Sequence, residues 1–154
     1  MSEASSPFAL VHVGTVQSHG LRVLPGDEPP EWAKVPEGTG DMSLRGWFEN
    51  HVLALLSTTI ARDDLAISVT LGGLYQVDSS ALAEVVKDDP QSMDTLERMP
   101  VDAKRRLSEQ ALPDLYPFMR ELVFRTSSGI LPNSAIMLVP RPPEPGTPAS
   151  AVPS

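Results

Sequence analysis

The sequence contains no cysteine, which excludes disulfide bonds, thiolate nucleophiles and thiolate metal ligands. Its three histidines, His12, His19 and His51, are too few and too widely spaced for the short ligand pairs of zinc sites. It also lacks a G-x-S-x-G elbow, a phosphate-binding loop and a dinucleotide glycine fingerprint. We therefore expect no catalytic residues, no metal site and no cofactor, in a protein that is not an enzyme.

Basic residues are also scarce: 12 Lys and Arg stand against 20 Asp and Glu, for a formal net charge of -8. Because phosphate backbones and anionic membranes attract basic proteins, we expect no nucleic acid as a partner. No window approaches the roughly 20 apolar residues that span a bilayer, and no basic leader precedes an apolar stretch at the start. These observations predict a cytoplasmic protein without membrane insertion, whose partners are other polypeptides.

Proline is concentrated in two stretches, with four of the 16 prolines in residues 24–40 and six in residues 140–154. Proline removes helix and ladder hydrogen bonds, so both stretches are predicted to be irregular. The second has almost no bulky apolar group that could offset the entropy of ordering. We predict one folded domain over residues 1–139 and a disordered Pro-rich tail over residues 140–154.

Three segments have the composition of β-strands. Residues 8–23 are rich in Val and Leu but interrupted by polar residues. Residues 46–61 end in β-branched residues before a turn-forming Arg-Asp-Asp, which favours a strand that enters a hairpin. Residues 65–77 alternate between apolar and small or polar side chains, as expected for the returning strand.

A glycine pair, Gly72 and Gly73, interrupts this alternation. Glycine readily takes positive φ or allows close approach, so we predict a bulge or bend there, with residues 74–77 forming the strand beyond it.

Helical patterns follow the predicted strands. Short helices are predicted over residues 79–89, with Ser79 or Ser80 as N-cap, and over residues 101–111. The strongest helix begins near Asp114, with Pro117 in its first turn and Gly129 past its end. Its apolar residues recur at helical spacing: Leu115, Phe118, Met119, Leu122 and Val123.

Two segments resemble the SecB family of export chaperones and its SecB-like relatives. VTLGGLYQV, residues 69–77, resembles the family's strand motif of a glycine pair followed by an apolar, an aromatic, a variable and an aliphatic residue. LYPFMRELVFRTSSGILP, residues 115–132, resembles its principal helix, with an aromatic-proline-aromatic start, Arg-Glu one turn later, and Gly-x-x-Pro. The resemblance covers residues 48–132. Its structural family markers are Gly72, Gly73, Pro117, Arg120, Glu121, Gly129 and Pro132.

The resemblance implies an α+β fold in which a four-stranded antiparallel sheet carries helices on one face, and subunits that assemble into a homodimer or tetramer. It implies a holdase that binds unfolded or precursor polypeptides in apolar grooves without a nucleotide, with protein export as one candidate role. The implied client-binding residues are Leu71, Leu74, Tyr75, Val77, Phe118 and Leu122. At these spacings each of them is also compatible with a plain core position.

Three departures from the family pattern keep alternatives open. The connection between Val77 and Leu115 is longer than the family norm, and a Pro-rich tail replaces the C-terminal helix. Export SecBs carry an acidic residue facing the SecA motor four positions before the glycine pair, where this chain has Ser68. Binding to SecA is therefore left open. The alternatives are a chaperone associated with a toxin-antitoxin system and a SecB-fold adaptor that has lost the groove.

Overall fold

The computed structural model describes residues 6–34, 39–47, 49–62, 64–82, 95–130, 135–136 and 138. The tail over residues 140–154, Pro132 and most of the helix predicted over residues 79–89 lie outside these ranges. The elements, in chain order, are β1 Phe8–Arg22, β2 Thr39–Gly46, β3 His51–Arg62, β4 Leu65–Val77, α1 Thr95–Arg98 and α2 Val101–Ile130, with 3-10 turns at Glu31–Ala33 and Ser79–Ala81.

The four strands form one antiparallel sheet in the order β1-β4-β3-β2. β3 and β4 make the central hairpin, and β1 returns from the start of the chain to pair with β4 over its whole length, from Phe8↔Val77 to Arg22↔Leu65. Helix α2 packs against one face of the sheet. The predicted α+β class, with a four-stranded antiparallel sheet and helices on one face, is therefore confirmed.

Side-chain alternation gives the sheet an inner face beneath α2 and an outer face. Residues Val52, Leu56 and Ile60 of β3 are buried on the inner face, and the odd-numbered residues of β4 lie beside them. They pack against the buried stripe of α2, whose members are Ala103, Leu107, Ala111, Leu115, Met119, Leu122 and Val123. This layer is the hydrophobic core, and its burial is the main favourable contribution to folding.

The strand predicted over residues 46–61 corresponds to β3, which begins five residues later, and Gly46 belongs to β2, a strand that was not predicted. β2 ends at Gly46, a turn follows in which Glu49 has a positive φ of 56°, and β3 begins at His51. The Trp47 N–H donates to the carbonyl of His51 at 3.2 Å and closes this turn. A left-handed residue of this kind is uncommon outside glycine, so the residue type of Glu49 gives no turn signal.

The bend predicted at Gly72 and Gly73 is wrong. β4 runs unbroken from Leu65 to Val77, and both irregularities of this pairing lie in β1, between Leu10 and His12 and between Thr15 and Gln17. Gly26 is the glycine with positive φ in the described part of the chain.

The glycine pair is needed for close approach instead. A Cβ atom on Gly73 would lie 2.6 Å from Cδ2 of Leu115, on the inner face. A Cβ atom on Gly72 would lie 2.9 Å from Cγ2 of Val16, on the outer face. The two glycines let the Leu115 side chain of α2 and the Val16 side chain of β1 lie close over the two faces of β4.

The helices predicted over residues 101–111 and from Asp114 are one continuous helix of 30 residues, α2. Pro117 therefore lies in the helix interior, together with Pro113, and Gly129 lies in the last turn and not beyond it. Both prolines are exposed, so water can satisfy the carbonyls that lose a helical N–H. Apolar packing of the opposite side holds the helix together across them.

The turn Ser79–Ala81 is capped by Asp78 and not by Ser79 or Ser80. Its carboxylate accepts from the Ser80 N–H at 2.9 Å, and this hydrogen bond holds the pKa of Asp78 below its usual value.

Candidate polypeptide-binding surfaces

The alternation of β4 separates the predicted client-binding residues. Leu71, Tyr75 and Val77 lie on the inner face and are buried beneath α2, and Leu122 is buried on the helix side of the same core. Leu74 lies on the outer face and is half-buried. The structure thus gives the four buried side chains a packing role, and their contact with clients stays a prediction.

Tyr75 also supplies a polar anchor for α2. Its hydroxyl donates to Oδ2 of Asp114 at 2.9 Å. Burial of the ring raises the pKa of Tyr75 well above its usual value, and the hydrogen bond and negative charge of Asp114 raise it further. One turn earlier, the Gln110 side-chain amide donates to the carbonyl of Phe8 at 3.1 Å, so the helix is tied to both β4 and β1.

Phe118 lies on the exposed side of α2, where 45% of it is accessible to solvent. Phe124, which sequence reasoning did not single out, is exposed to a similar extent at 42%. Six residues along a helix correspond to about 240° of rotation, which places the two rings about 120° apart around the helix axis. They therefore lie on either side of a strip of the exposed helix surface. An ion pair between Glu121 and Arg125 occupies this strip. We call Phe118 and Phe124 the helix phenylalanines.

The predicted marker Arg120 fixes the chain that follows α2. Its Nε donates to the carbonyl of Leu138 at 3.1 Å. Ser127, fully buried, accepts from the Ile136 N–H at 2.8 Å and donates to the carbonyl of Val123 at 2.8 Å. Ile136 and Leu138 therefore lie beside successively earlier turns in the second half of α2. A lone serine in a helical pattern gives no sequence signal for this role.

The outer face carries an apolar cluster at the end of the sheet where β3 begins. Leu53 pairs with Leu74, and Leu55 pairs with Gly72, over which Val16 of β1 lies. Trp47 follows β2 at the same end and is 42% exposed, and Val16 is 56% exposed. We call Val16, Trp47, Leu53, Leu55 and Leu74 the outer apolar patch.

Hydroxyl groups occupy the middle of the outer face. Ser57 and Thr70 hydrogen-bond across the central hairpin with their oxygens 3.0 Å apart, and Thr59 donates to Ser68 at 3.3 Å. We call these four residues the hydroxyl ladder.

The far end of the outer face is covered by the chain itself. Residues 23–34 fold over Ala66, and the Trp32 ring meets the His19 ring edge-on with centroids 4.6 Å apart. The outer face therefore has a covered end, a polar middle and an apolar end.

Among the described residues, no group of three or more His, Cys, Asp or Glu side chains could hold a metal ion. No helix there is long and apolar enough to cross a membrane.

Comparison with solved structures places this architecture among known folds. The chain is similar to a protein of unknown function from Streptococcus agalactiae, with a TM-score of 0.54, 14% identity, and coverage of 88% of this chain and 99% of that one. It is also similar to a SecB-like chaperone from Mycobacterium tuberculosis, solved in complex with a peptide from an antitoxin. There the TM-score is 0.51, the identity 11%, and the coverage 86% of each chain. No protein-family model and no curated protein sequence matches the chain.

The fold is therefore SecB-like: a four-stranded antiparallel sheet with a long helix packed against it. Similarity at this identity is a likeness of fold, and the resemblance seen in the two sequence segments agrees with it.

Proposed function

We propose that this protein is a SecB-like chaperone that binds unfolded polypeptides and keeps them from aggregating. The observation that carries the proposal is that a SecB-like fold leaves large apolar side chains exposed on α2, in the helix phenylalanines. These exposed aromatic side chains can bury the apolar segments of an unfolded client against themselves, which removes apolar surface of both from water. The antitoxin peptide bound by the M. tuberculosis neighbour supports polypeptide binding by this fold.

The energetics favour weak binding at many points. A half-exposed phenylalanine offers on the order of 80 Å² of apolar surface, worth about 2 kcal/mol when buried. Two such rings supply about 4 kcal/mol, which corresponds to a dissociation constant of about 1 mM. A client must therefore contact several subunits or several surfaces at once, which is why we propose a homodimer or tetramer as the working form.

The outer face favours a clientele outside protein export. At the position where export SecBs carry the acidic residue, the Ser68 hydroxyl is engaged by Thr59 in the hydroxyl ladder. The central strands thus offer a motor protein no carboxylate there. We propose a chaperone of the toxin-antitoxin kind, acting in the cytoplasm without a catalytic step or cofactor, in preference to a SecA-linked one.

An aggregation assay tests the function. Purified protein in stoichiometric ratio to a chemically denatured client should suppress the light scattering of that client. The double variant Phe118→Ser with Phe124→Ser should lose most of the suppression, because it removes both exposed rings. Val101→Ser is the matched control, since Val101 is 80% exposed at the start of the same helix but is far from both rings along it.

Two results would contradict the proposal. Unchanged client scattering with the parent protein would favour the alternative, an adaptor that keeps the fold without a client groove. Equal losses in the double variant and the Val101 control would mean that the helix phenylalanines do not bind the client.

A further inference from the structure

The outer face of the two central strands is free of formal charge, although the chain carries a net charge of -8. Over the full length of β3 and β4, the residues on this face are His51, Leu53, Leu55, Ser57, Thr59 and Ala61, and Ala66, Ser68, Thr70, Gly72, Leu74 and Gln76. Acidic proteins usually keep their surfaces soluble with charged groups, so a sheet face without them suits burial against another surface.

The hydroxyl groups of this face are paired with one another. Ser57 hydrogen-bonds Thr70, and Thr59 donates to Ser68, so each pair keeps one of its two O–H donors within the sheet. A partner that covered the ladder would therefore have to satisfy one donor per pair instead of two, which lowers the usual cost of burying hydroxyl groups.

Charges of opposite sign lie at its β2 edge. Asp41 and Arg45 are both exposed and both face outward, and Ser43 lies midway between them. A two-fold axis along the row that joins Ser43, Leu55 and Gly72 would place Asp41 of one copy opposite Arg45 of the other, twice per pair. This self-complementary spacing points to a second copy as the partner, since a client of arbitrary sequence would not match it.

We propose that the outer face pairs with the same face of a second copy of this chain about such a two-fold axis. The open part of the face spans four strands about 4.8 Å apart and about nine residues of roughly 3.4 Å each, a footprint on the order of 600 Å². A standard interface buries about 800 Å² of accessible surface on each partner. The pairing is thus large enough for a reversible dimer. Dimer formation is measured without a client, so a failure to dimerise is distinguishable from a failure of the chaperone function.

Charge reversal tests the geometry. Asp41→Arg and Arg45→Asp should each weaken the dimer about tenfold, because each places like charges opposite one another. The double variant Asp41→Arg with Arg45→Asp should restore association to within about threefold of the parent. The mass measured by sedimentation equilibrium over micromolar concentrations should change from twice 16.6 kDa towards 16.6 kDa in the single variants only.

A second pair of variants separates this surface from the helix. Val16→Glu, on the outer apolar patch, should dissociate the dimer, whereas Phe118→Glu, exposed on α2, should leave it intact. Circular dichroism confirms that each variant is folded. The proposal is overturned by a parent mass of 16.6 kDa at every concentration, by a dimer that none of the outer-face variants weakens, or by a Val16→Glu variant that stays dimeric and loses client protection instead.

Discussion

The two faces of β4 show how one strand serves two purposes. Leu71 and Tyr75 lie beneath α2, where the chain itself supplies a complete apolar partner. Thr70 and Leu74 alternate with them on the outer face, where residues 23–34 cover one end of the sheet in the described structure. The inner face therefore carries the stability of the monomer, and the outer face carries surface that is available to other chains. Matched substitutions on the two faces test this division.

Truncating one leucine on each face should give the largest difference. Leu71→Ala leaves a cavity under α2 and should lower the free energy of unfolding by about 3 kcal/mol. Leu74→Ala, on the same strand but half-buried on the outer face, should cost about 1 kcal/mol in the monomer. Urea denaturation at a concentration where the protein is monomeric measures both. Equal losses would mean that the outer face is packed as tightly as the core.

The glycine pair makes the same comparison by adding atoms. Gly73→Val brings its side chain into Leu115 beneath the helix and should cost about 2 to 3 kcal/mol. Gly72→Val meets the exposed side chain of Val16, which can move aside, and should cost about 1 kcal/mol. The melting temperatures of the two variants should differ by roughly 3 to 6 °C. A Gly73→Val protein as stable as the parent would contradict the close approach of α2 to β4.

Removing the Tyr75 hydroxyl should have a smaller effect. Tyr75→Phe deletes the hydrogen bond to Asp114 and should cost about 1 kcal/mol near neutral pH. The pKa of Tyr75 is raised by folding, so the folded state retains the phenolic proton to higher pH than the unfolded state. The parent should therefore lose stability as pH rises above about 10, the usual tyrosine pKa. Denaturation in alkaline buffers should show that Tyr75→Phe loses less stability with rising pH than the parent does. An equal dependence of unfolding free energy on pH in the two proteins would contradict the raised pKa of Tyr75.

The hydroxyl ladder should give the smallest effects. Ser57→Ala should cost about 0.5 kcal/mol in the monomer, because water can replace the lost partner of Thr70 on a half-buried face. In the proposed dimer the same change should cost more, since water is excluded there. Comparing urea midpoints at low and high protein concentration distinguishes the two states. A Ser57→Ala effect that does not depend on concentration would argue against burial of the ladder.

Sequence reasoning recovered the features that follow from local periodicity. The alternation of residues 65–77 predicted β4, and the helical spacing of Leu115, Met119 and Leu122 predicted the second half of α2. The same patterns could not assign the faces, because alternation shows which residues lie together without showing which side the helix covers. The family resemblance implies both Leu71 and Leu74 as client contacts, although they lie on opposite faces.

The missed features depend on distant contacts. Pro113 and Pro117 predict a helix boundary by local rules, yet packing against the sheet holds α2 continuous across both. Glu49 makes a turn with a backbone conformation that its residue type disfavours, and the close approach at Gly73 depends on Leu115, more than 40 residues away. The outer apolar patch joins three strands and the residue after β2. Its members form no recognisable pattern along the chain.

The position of β1 in the sheet has a consequence during synthesis on the ribosome. β3 and β4 are joined by a short turn and can pair as soon as both have emerged, but Phe8 pairs with Val77 and has no strand neighbour until β4 is made. At about 5 to 20 residues per second, the roughly 70 intervening residues take on the order of 3 to 14 s to synthesise. For that time the apolar residues of β1 are exposed on the nascent chain. A protein proposed to shield the unfolded segments of other proteins thus has, during its own synthesis, an unpaired apolar strand that is open to the same kind of aggregation.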